Sequence, residues 1–273
     1  MKVADSDQRE LHISVGCALE NLLVAAEHFG YGHLVEYFPE GEDNPVACVK
    51  LNPGGKVQRP RDSVLFDMIP HRNTNHNLYD TRPISETEMA RLHACCCEEG
   101  FWLFPTNEAS NEAELRCKID HLITQADAIQ LTDRAYKEEL AWWIGQGVFG
   151  ASWLMAKVTQ LAVTHLNISK RQTKKDSELL LSAPSLIALG SAANDRKSQV
   201  IVGQIFERIA LTAIYKGMAV HPMSQILEVP EIKAELSSLL PKENVFPQHT
   251  FRLGYAEPEN GHTPRRPLDE VLL

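Results

Sequence analysis

The chain has 273 residues, enough to bury a large core as one big domain or two modest ones. A net charge of −9 excludes general binding to nucleic acid or to anionic membrane, because those partners demand a positive surface field, so any anion site must be built locally. No apolar run reaches the ~20 residues of a bilayer span, and residues 1–10 are polar and mixed in charge, unlike a secretory signal, so a cytoplasmic setting is expected.

The first predicted element is a helix that the chain nearly repeats. Gly16-Cys17-Ala18-Leu19-Glu20 runs on to Gly30, and Gly203-Gln204-Ile205-Phe206-Glu207 runs on to Gly217; one offset of 187 residues, 16 to 203, superposes the two. On that offset Leu19, Leu22, Leu23 and Ala26 fall on Phe206, Ile209, Ala210 and Ala213, the i, i+3, i+4, i+7 stripe of a buried helix face. The two segments therefore read as one helix used twice.

After the first of these helices, residues 45–51 (PVACVKL) read as a strand, broken by Asn52-Pro53-Gly54-Gly55, which marks a candidate domain boundary. Ser85-Glu86-Thr87-Glu88 has the S-x-x-E form of a capping box and predicts a helix through about Glu99. Further helices are expected at about 110–128, 132–144 and 151–166. Residues 184–190 (PSLIALG) form a short apolar strand directly before the second repeat helix, and a late strand is expected at 250–254. The six cysteines show no CxxC spacing, and Cys95-Cys96-Cys97 would project in three directions from a helix, so they read as reduced thiols and no metal set is assigned.

The chemistry signal lies in residues 71–80 (HRNTNHNLYD), which place cationic and hydroxyl donors at alternate positions. In an extended segment Arg72, Thr74 and His76 point to one side, an arrangement that suits the several oxygens of a phosphate, and arginine offers a planar fork that keeps its charge when partly buried. An arginine and several asparagines before a helix equally describe a solvated turn.

Residues 251–255 (FRLGY) and the later Thr263-Pro264-Arg265-Arg266-Pro267-Leu268 shift the balance. Together with the His-Arg-x-Thr-Asn strip, they make the chain resemble the FMN-dependent nitroreductase family. Members of that family open with an Arg-x-Ser/Thr-x-basic motif and close with a Leu-Gly-Tyr strand and a basic pair before Pro or Leu. The acidic Tyr79-Asp80-x-Arg82-Pro83 and the internal repeat look most like its two-domain, dormancy-associated branch of single-chain pseudo-dimers. The resemblance covers almost the whole chain and is strongest at 71–84, 184–217 and 251–268.

The resemblance implies an α+β, nitroreductase-like three-layer fold, with a central mostly antiparallel sheet flanked by helices and internally duplicated. Residues 1–60 would be a partial N-terminal repeat and 61–273 the FMN domain. It implies FMN as cofactor and NAD(P)H as co-substrate, with two electrons passing to a nitroaromatic, quinone or similar small acceptor. Arg72 and Thr74 match the family's phosphate-binding Arg and Ser/Thr, His76 stands where a second basic residue usually sits, and Arg266 matches the C-terminal Arg with Arg265 beside it. Residues 218–224, including His221, Pro222, Met223 and Ser224, match the loop whose main-chain N–H approaches flavin N5, without that loop's usual acidic and glycine residues. No catalytic side chain is expected, since the flavin carries the redox chemistry; His221 is a candidate substrate contact. Arg82, Glu207 and Arg208 read as fold residues. The chain begins after the strip that, in the branch, helps hold the isoalloxazine. A catalytically inactive FMN-binding or FMN-sequestering protein is therefore the alternative, and a monomeric pseudo-dimer is expected, with a homodimer if another chain completes the shortened half.

Overall fold

The structure, a computed structural model, describes residues 2–41, 45–145, 169–259 and 267–271. Along the chain run α1 (Arg9–His28), β1 (Tyr31–Tyr37), β2 (Ala47–Pro53), the short α2 (Leu65–Met68) continued by a 3-10 turn at Ile69–His71, α3 (Glu86–Ala94) and β3 (Phe101–Pro105). There follow α4 (Glu112–Thr132), α5 (Arg134–Gly145), α6 (Ser169–Ser182), β4 (Ser185–Ser191), α7 (Arg196–Tyr215), β5 (Ala219–Pro222), α8 (Gln225–Glu228), α9 (Pro230–Leu239) and β6 (Phe246–Gly254). Among the described residues, β1 and β2 form one antiparallel hairpin, and the remaining strands form a second, wholly antiparallel sheet in the order β3-β4-β6-β5.

That second sheet is covered on both faces, which is why β4 reads as an unbroken apolar run: all seven of its residues are buried. Alternation along the strand sends Ile187 and Leu189 to a core shared with Ile205, Phe206 and Ile209 of α7 and Met89 and Leu92 of α3. Leu186 faces the other way, into a core shared with Leu122 and Ile123 of α4, Leu180 of α6 and Leu236 of α9. The result is a helix–sheet–helix sandwich in which α7 lies against one face of the sheet.

Each of α1 and α7 is 20 residues long, and their ends obey the offset of 187 residues read from the sequence, Arg9 to Arg196 and His28 to Tyr215. They cross at their glycines. A Cβ on Gly16 would lie 2.0 Å from the Val200 carbonyl oxygen, and one on Gly203 would lie 2.0 Å from that of Ile13, so each contact is the other's counterpart on the same offset. Both helices also end alike, with Gly30 at φ 80° and Gly217 at φ 70° just past the last turn, the left-handed position that favours glycine. The apolar stripes are not equally covered, however: Ile209 is fully buried whereas its counterpart Leu22 is 48% exposed. The difference is positional, since α7 is enclosed between α1 and the sheet and α1 has one uncovered side.

Several boundaries differ from the sequence reading. The capping box at Ser85 and Glu88 is formed, with Ser85 Oγ accepting from the Glu88 N–H and the Glu88 carboxylate from the Ser85 N–H, but α3 stops at Ala94 rather than near Glu99. Cys95-Cys96-Cys97 therefore lie in the turn after the helix, which must reverse through Gly100 (φ 84°) to start β3 against β4. The helices expected at 110–128 and 132–144 appear as α4 and α5; the one expected at 151–166 lies outside the described residues. The strand expected at 45–51 is β2, shifted toward Pro53, and the late strand is longer than expected, starting at Phe246.

One carboxyl pair, buried Asp127 with half-buried Asp176, joins α4 to α6. Asp127, 5% exposed, hydrogen-bonds to Asp176 and Gln225, and burial followed by the Asp176 charge raises its pKa to about 8. Because the folded value lies above the ordinary one of about 4, the native state holds a proton that the unfolded chain releases between about pH 4 and 8, and stability falls as pH rises through that window. Asp127→Asn removes this dependence: at pH 8.5 the expected gain is at least about 1 kcal/mol, or about 2–4 °C or more in Tm, with little change at pH 5. Thermal melts at the two pH values check it, and a variant Tm that tracks wild type at both would refute it.

Candidate functional site

The 71–80 strip is laid along the edge of the sheet by its own backbone. Its first turn is the 3-10 segment at Ile69–His71, where Pro70 fits because an N-terminal N–H needs no partner there, and Arg72 leaves that turn in an extended conformation. The Asn75 N–H donates to the Val220 carbonyl on β5 (3.1 Å) and the Asp80 N–H to the Tyr255 carbonyl just past β6 (2.7 Å). Asn75 itself turns inward, 4% exposed, with its amide donating to the Glu257 carbonyl (2.8 Å). Burial of this alternate residue leaves Arg72 and His76 toward solvent, with side chains 29% and 56% exposed, and Thr74 half-buried.

Behind the strip stands Arg252 of β6, fully buried and with no carboxylate within 4.0 Å among the described residues. Its guanidinium donates to the carbonyls of Leu179 (2.9 Å), Asn75 (3.0 Å) and Asn77 (2.9 Å) and to His221 Nδ1 (3.0 Å), and it lies 4.0 Å over the Tyr79 ring. Burial lowers its pKa from the ordinary arginine value. Arg252 is thus the tie between β6, α6 and the strip.

Each predicted donor has a definite partner or place. Arg72 Nε lies 2.9 Å from Glu207 Oε1, on the fully buried side of α7. The same Glu207 oxygen accepts from Asn21 Nδ2 (3.0 Å), while Glu207 Oε2 is buried with no hydrogen-bond partner among the described residues. Burial pushes the Glu207 carboxyl above its ordinary pKa, and Arg72 pulls it back. The Glu259 carboxylate is seated on His76, accepting from the main-chain N–H (2.7 Å) and meeting Nδ1 at 3.0 Å. The His76 ring packs edge-on against His221, with centroids 4.6 Å apart. Burial, and then the neighbouring Arg252 and His76 charges, lower the His221 pKa to about 3. It is therefore neutral at physiological pH, and because Nδ1 accepts from Arg252, its proton sits on Nε2.

The rest of the predicted loop turns away. Pro222 has no N–H, the Met223 N–H donates to the Thr250 carbonyl (2.8 Å), and the Met223 side chain is in the core between the sheet and α4. Ser224 hydrogen-bonds to Glu10 of α1. The structure therefore packs His76 against His221, sets Arg72 on Glu207 with Thr74 half-buried on the strip between Arg72 and His76, directs Met223 and Ser224 into the fold, and leaves Arg265 and Arg266 outside the described residues.

Sequence reasoning missed two members of this arrangement. Glu207, read as a fold residue, is the partner of Arg72; its signal was the repeat itself, which pairs it with the equally buried Glu20. Arg252 enters the sequence reading only as part of a strand, although a lone arginine inside an apolar run such as TFRLGY already asks where its five donors go. Arg82 stacks on the Tyr255 ring at 3.9 Å, and Arg208 pairs with Glu20 and Glu98, both structural roles as expected. Among the described residues no group of His, Cys, Asp and Glu is placed to hold a metal ion, and no helix is long and apolar enough to cross a membrane.

Comparison with known proteins bears on this geometry. No family profile matches the chain. A Mycobacterium tuberculosis protein named "Putative NAD(P)H nitroreductase Rv3131" is 26% identical over 291 aligned positions, which span all of this chain and 79% of the relative. A second from the same organism, "Putative NAD(P)H nitroreductase acg", is 23% identical over 98% of this chain and 82% of its own length. Among solved structures, the FMN-dependent nitroreductase NfnB of Mycobacterium smegmatis, in complex with NADPH, superposes with a TM-score of 0.51 at 13% identity, over 77% of this chain and 97% of that one. The FMN- and NADPH-dependent NfnB of a Sphigopyxis strain gives 0.50, also at 13% identity, over 76% and 97%. The antiparallel sheet between two helical layers, with the Arg72 strip along its edge, is accordingly a nitroreductase-like fold.

Proposed function

We propose that the chain is an FMN-dependent NAD(P)H oxidoreductase of the nitroreductase type, passing two electrons to a nitroaromatic, quinone or similar small acceptor. The observation that carries this reading is the strip of Arg72, Thr74 and His76, pinned along β5 with a carboxylate already seated on its last donor pair. Glu259 there stands in for an anion: one main-chain N–H and one imidazole nitrogen converge on its two oxygens, as they would on two oxygens of a phosphate. Arg72 fits the same role, since Glu207 engages its Nε and its side chain stays 29% exposed.

A bound FMN would supply the hydride chemistry, which is why the chain needs no titrating catalytic side chain. In this reading Arg72, Thr74 and His76 hold the phosphate, with Arg265 and Arg266 assigned to the same group by their match to the family's C-terminal basic pair. Glu207 orients Arg72, and His221 offers its Nε2–H to the acceptor. The matched helices α1 and α7 and their symmetric glycine crossing support residues 1–60 as a partial repeat of 61–273, hence a monomeric pseudo-dimer. The names of the mycobacterial relatives support the same activity, and a cytoplasmic setting goes with it.

Arg72→Ala combined with Arg266→Ala is expected to weaken FMN binding by about 100-fold or more, since each removes a charge-assisted contact worth about 1.5–3 kcal/mol. Unchanged affinity in the double variant would sink the phosphate assignment. A second reading, an FMN-binding protein without turnover, is favoured by one observation: the loop matched to the flavin N5 contact has its Met223 N–H already bound to Thr250. The visible spectrum of purified protein, desalted after FMN is added, separates the two. Retained yellow flavin that bleaches with anaerobic NADPH or NADH supports the oxidoreductase, whereas retained flavin that only dithionite reduces supports the binding protein. No retained flavin overturns both.

A further inference from the structure

We propose that the hollow between the segment leading into α2, the end of α3 and the end of α7 is a second ligand site, for a phosphate ester or a closely similar small polyanion. The hollow has a volume of about 530 Å³, and none of Arg72, Thr74 or His76 lines it. Its volume falls within the range of about 300–1,000 Å³ common to small-molecule sites. Five cations face it, Arg59, Arg61, Arg91, Arg208 and Lys216, against two acids, Asp62 and Glu98. Glu20 and Glu27, which hold Arg61 and Arg208 from behind, bring the acids to four, so in a chain with a net charge of −9 the hollow still keeps a local positive excess, as an anion site built within the fold requires.

The five cations divide into a fixed floor and an unneutralised rim. Arg61 and Arg208, with side chains only 11% and 12% exposed, are both clamped on the fully buried Glu20, at 2.6 and 2.8 Å. Arg208 also meets Glu98 at 3.0 Å. Arg59, Arg91 and Lys216 have no carboxylate within 4.0 Å among the described residues, so their charge is available to a ligand. Arg59 is nevertheless held in place, donating from Nη1 to the Cys97 carbonyl (2.9 Å). Lys216 Nζ lies 4.4 Å over the ring of Tyr215, which is 45% exposed at the border of the same hollow. Three unneutralised cations around a rigid floor match phosphate oxygens, and the aromatic face beside them suits a planar organic group on the ester.

The α1–α7 offset gives the site a context. Glu20 and Glu207 occupy matching positions on the two helices, but the place of Arg208 is taken by Asn21 beside Glu207. The two ends of the helix pair are therefore differently charged, and the extra guanidinium lies at this hollow.

Thiol labelling tests the proposal directly. Cys48, Cys97 and Cys117 are exposed, and of these three only Cys97 lines the hollow. Full-length protein is treated with a maleimide and the modified thiols are mapped by mass spectrometry, with inorganic pyrophosphate or ADP as the probe. Pyrophosphate at about ten times its dissociation constant is expected to slow Cys97 modification about tenfold while leaving Cys48 and Cys117 unchanged. The Arg91→Ala, Lys216→Ala double variant should keep the wild-type Tm and lose that protection. Arg72→Ala should retain it, which separates this site from the one proposed above. If ADP protects at lower concentration than pyrophosphate, and Tyr215→Ala removes the difference, the organic part of an ester is engaged; equal protection confines recognition to the phosphates. Absence of protection by either probe, equal slowing of all three thiols, or full protection in the double variant would overturn the proposal.

Discussion

Gly16→Val abolishes the native fold, or lowers its stability by more than about 3 kcal/mol. Even the first carbon added at this position would lie 2.0 Å from the Val200 carbonyl oxygen and 2.9 Å from the Gly203 Cα. Both are backbone atoms of a helix packed between α1 and the sheet, so neither can rotate aside as the end of a side chain could. The only relief is to drive α1 off α7, which uncovers Leu19, Leu23 and Val200 together. Gly203→Val meets the Ile13 carbonyl in the same way and should fail equally. Leu22→Ala, on the uncovered side of the same helix, should shift Tm by less than about 2 °C. Thermal melts of the three variants decide the matter, and a Gly16→Val protein melting within a few degrees of wild type would refute the crossing.

Arg252→Met is the second substitution with a large expected effect. Methionine fills much of the same space but donates nothing, leaving the carbonyls of Leu179, Asn75 and Asn77 and the Nδ1 of His221 without their donor. Each buried acceptor left unmet costs about 1–3 kcal/mol, so a total loss of about 3 kcal/mol or more is expected, a fall of about 6–12 °C in Tm. The damage should be local before it is global. Amide exchange should quicken first at Asn75 and Tyr79, whose N–H groups tie the strip to β5 and to Ser182, and flavin retention should fall with it. Arg252→Lys keeps the charge but not the planar fork and should recover only part of the loss. Unaltered exchange at Asn75 in the methionine variant would show that the strip does not depend on Arg252.

The sequence made the helices with strong end signals legible. The Ser85–Glu88 capping box and the glycines after α1 and α7 mark chain reversals that local chemistry alone enforces. It was weaker wherever tertiary contact decides. The strand β3 (FWLFP) follows directly on the turn after α3, and it is a strand because it pairs with β4, which no local pattern announces. Helix α6 was missed because its polar stretch SKRQTKKDSE dominates the apolar stripe, although its last turn carries Leu180 into the core. The same division holds at the site. Alternation along the strip led to the expectation that Arg72, Thr74 and His76 share one side; in the structure Asn75 turns in to the Glu257 carbonyl while Arg72 and His76 keep partly exposed side chains. It could not reveal Glu207 or Arg252, whose roles come from residues 135 and 177 positions away in the chain, nor that Met223 would be consumed by the core.

The pairing of α1 with α7 also sets a schedule for making the protein. On a ribosome adding about 5–20 residues per second, the N-terminal helix waits about 10–40 s for its mate, because 187 residues separate them. Throughout that interval Leu19 and Leu23 have the β1–β2 hairpin beside them and Val24 has Leu65 of α2, but the face that α7 covers stays open. A chain interrupted before residue 196 would never acquire the surface that closes its beginning.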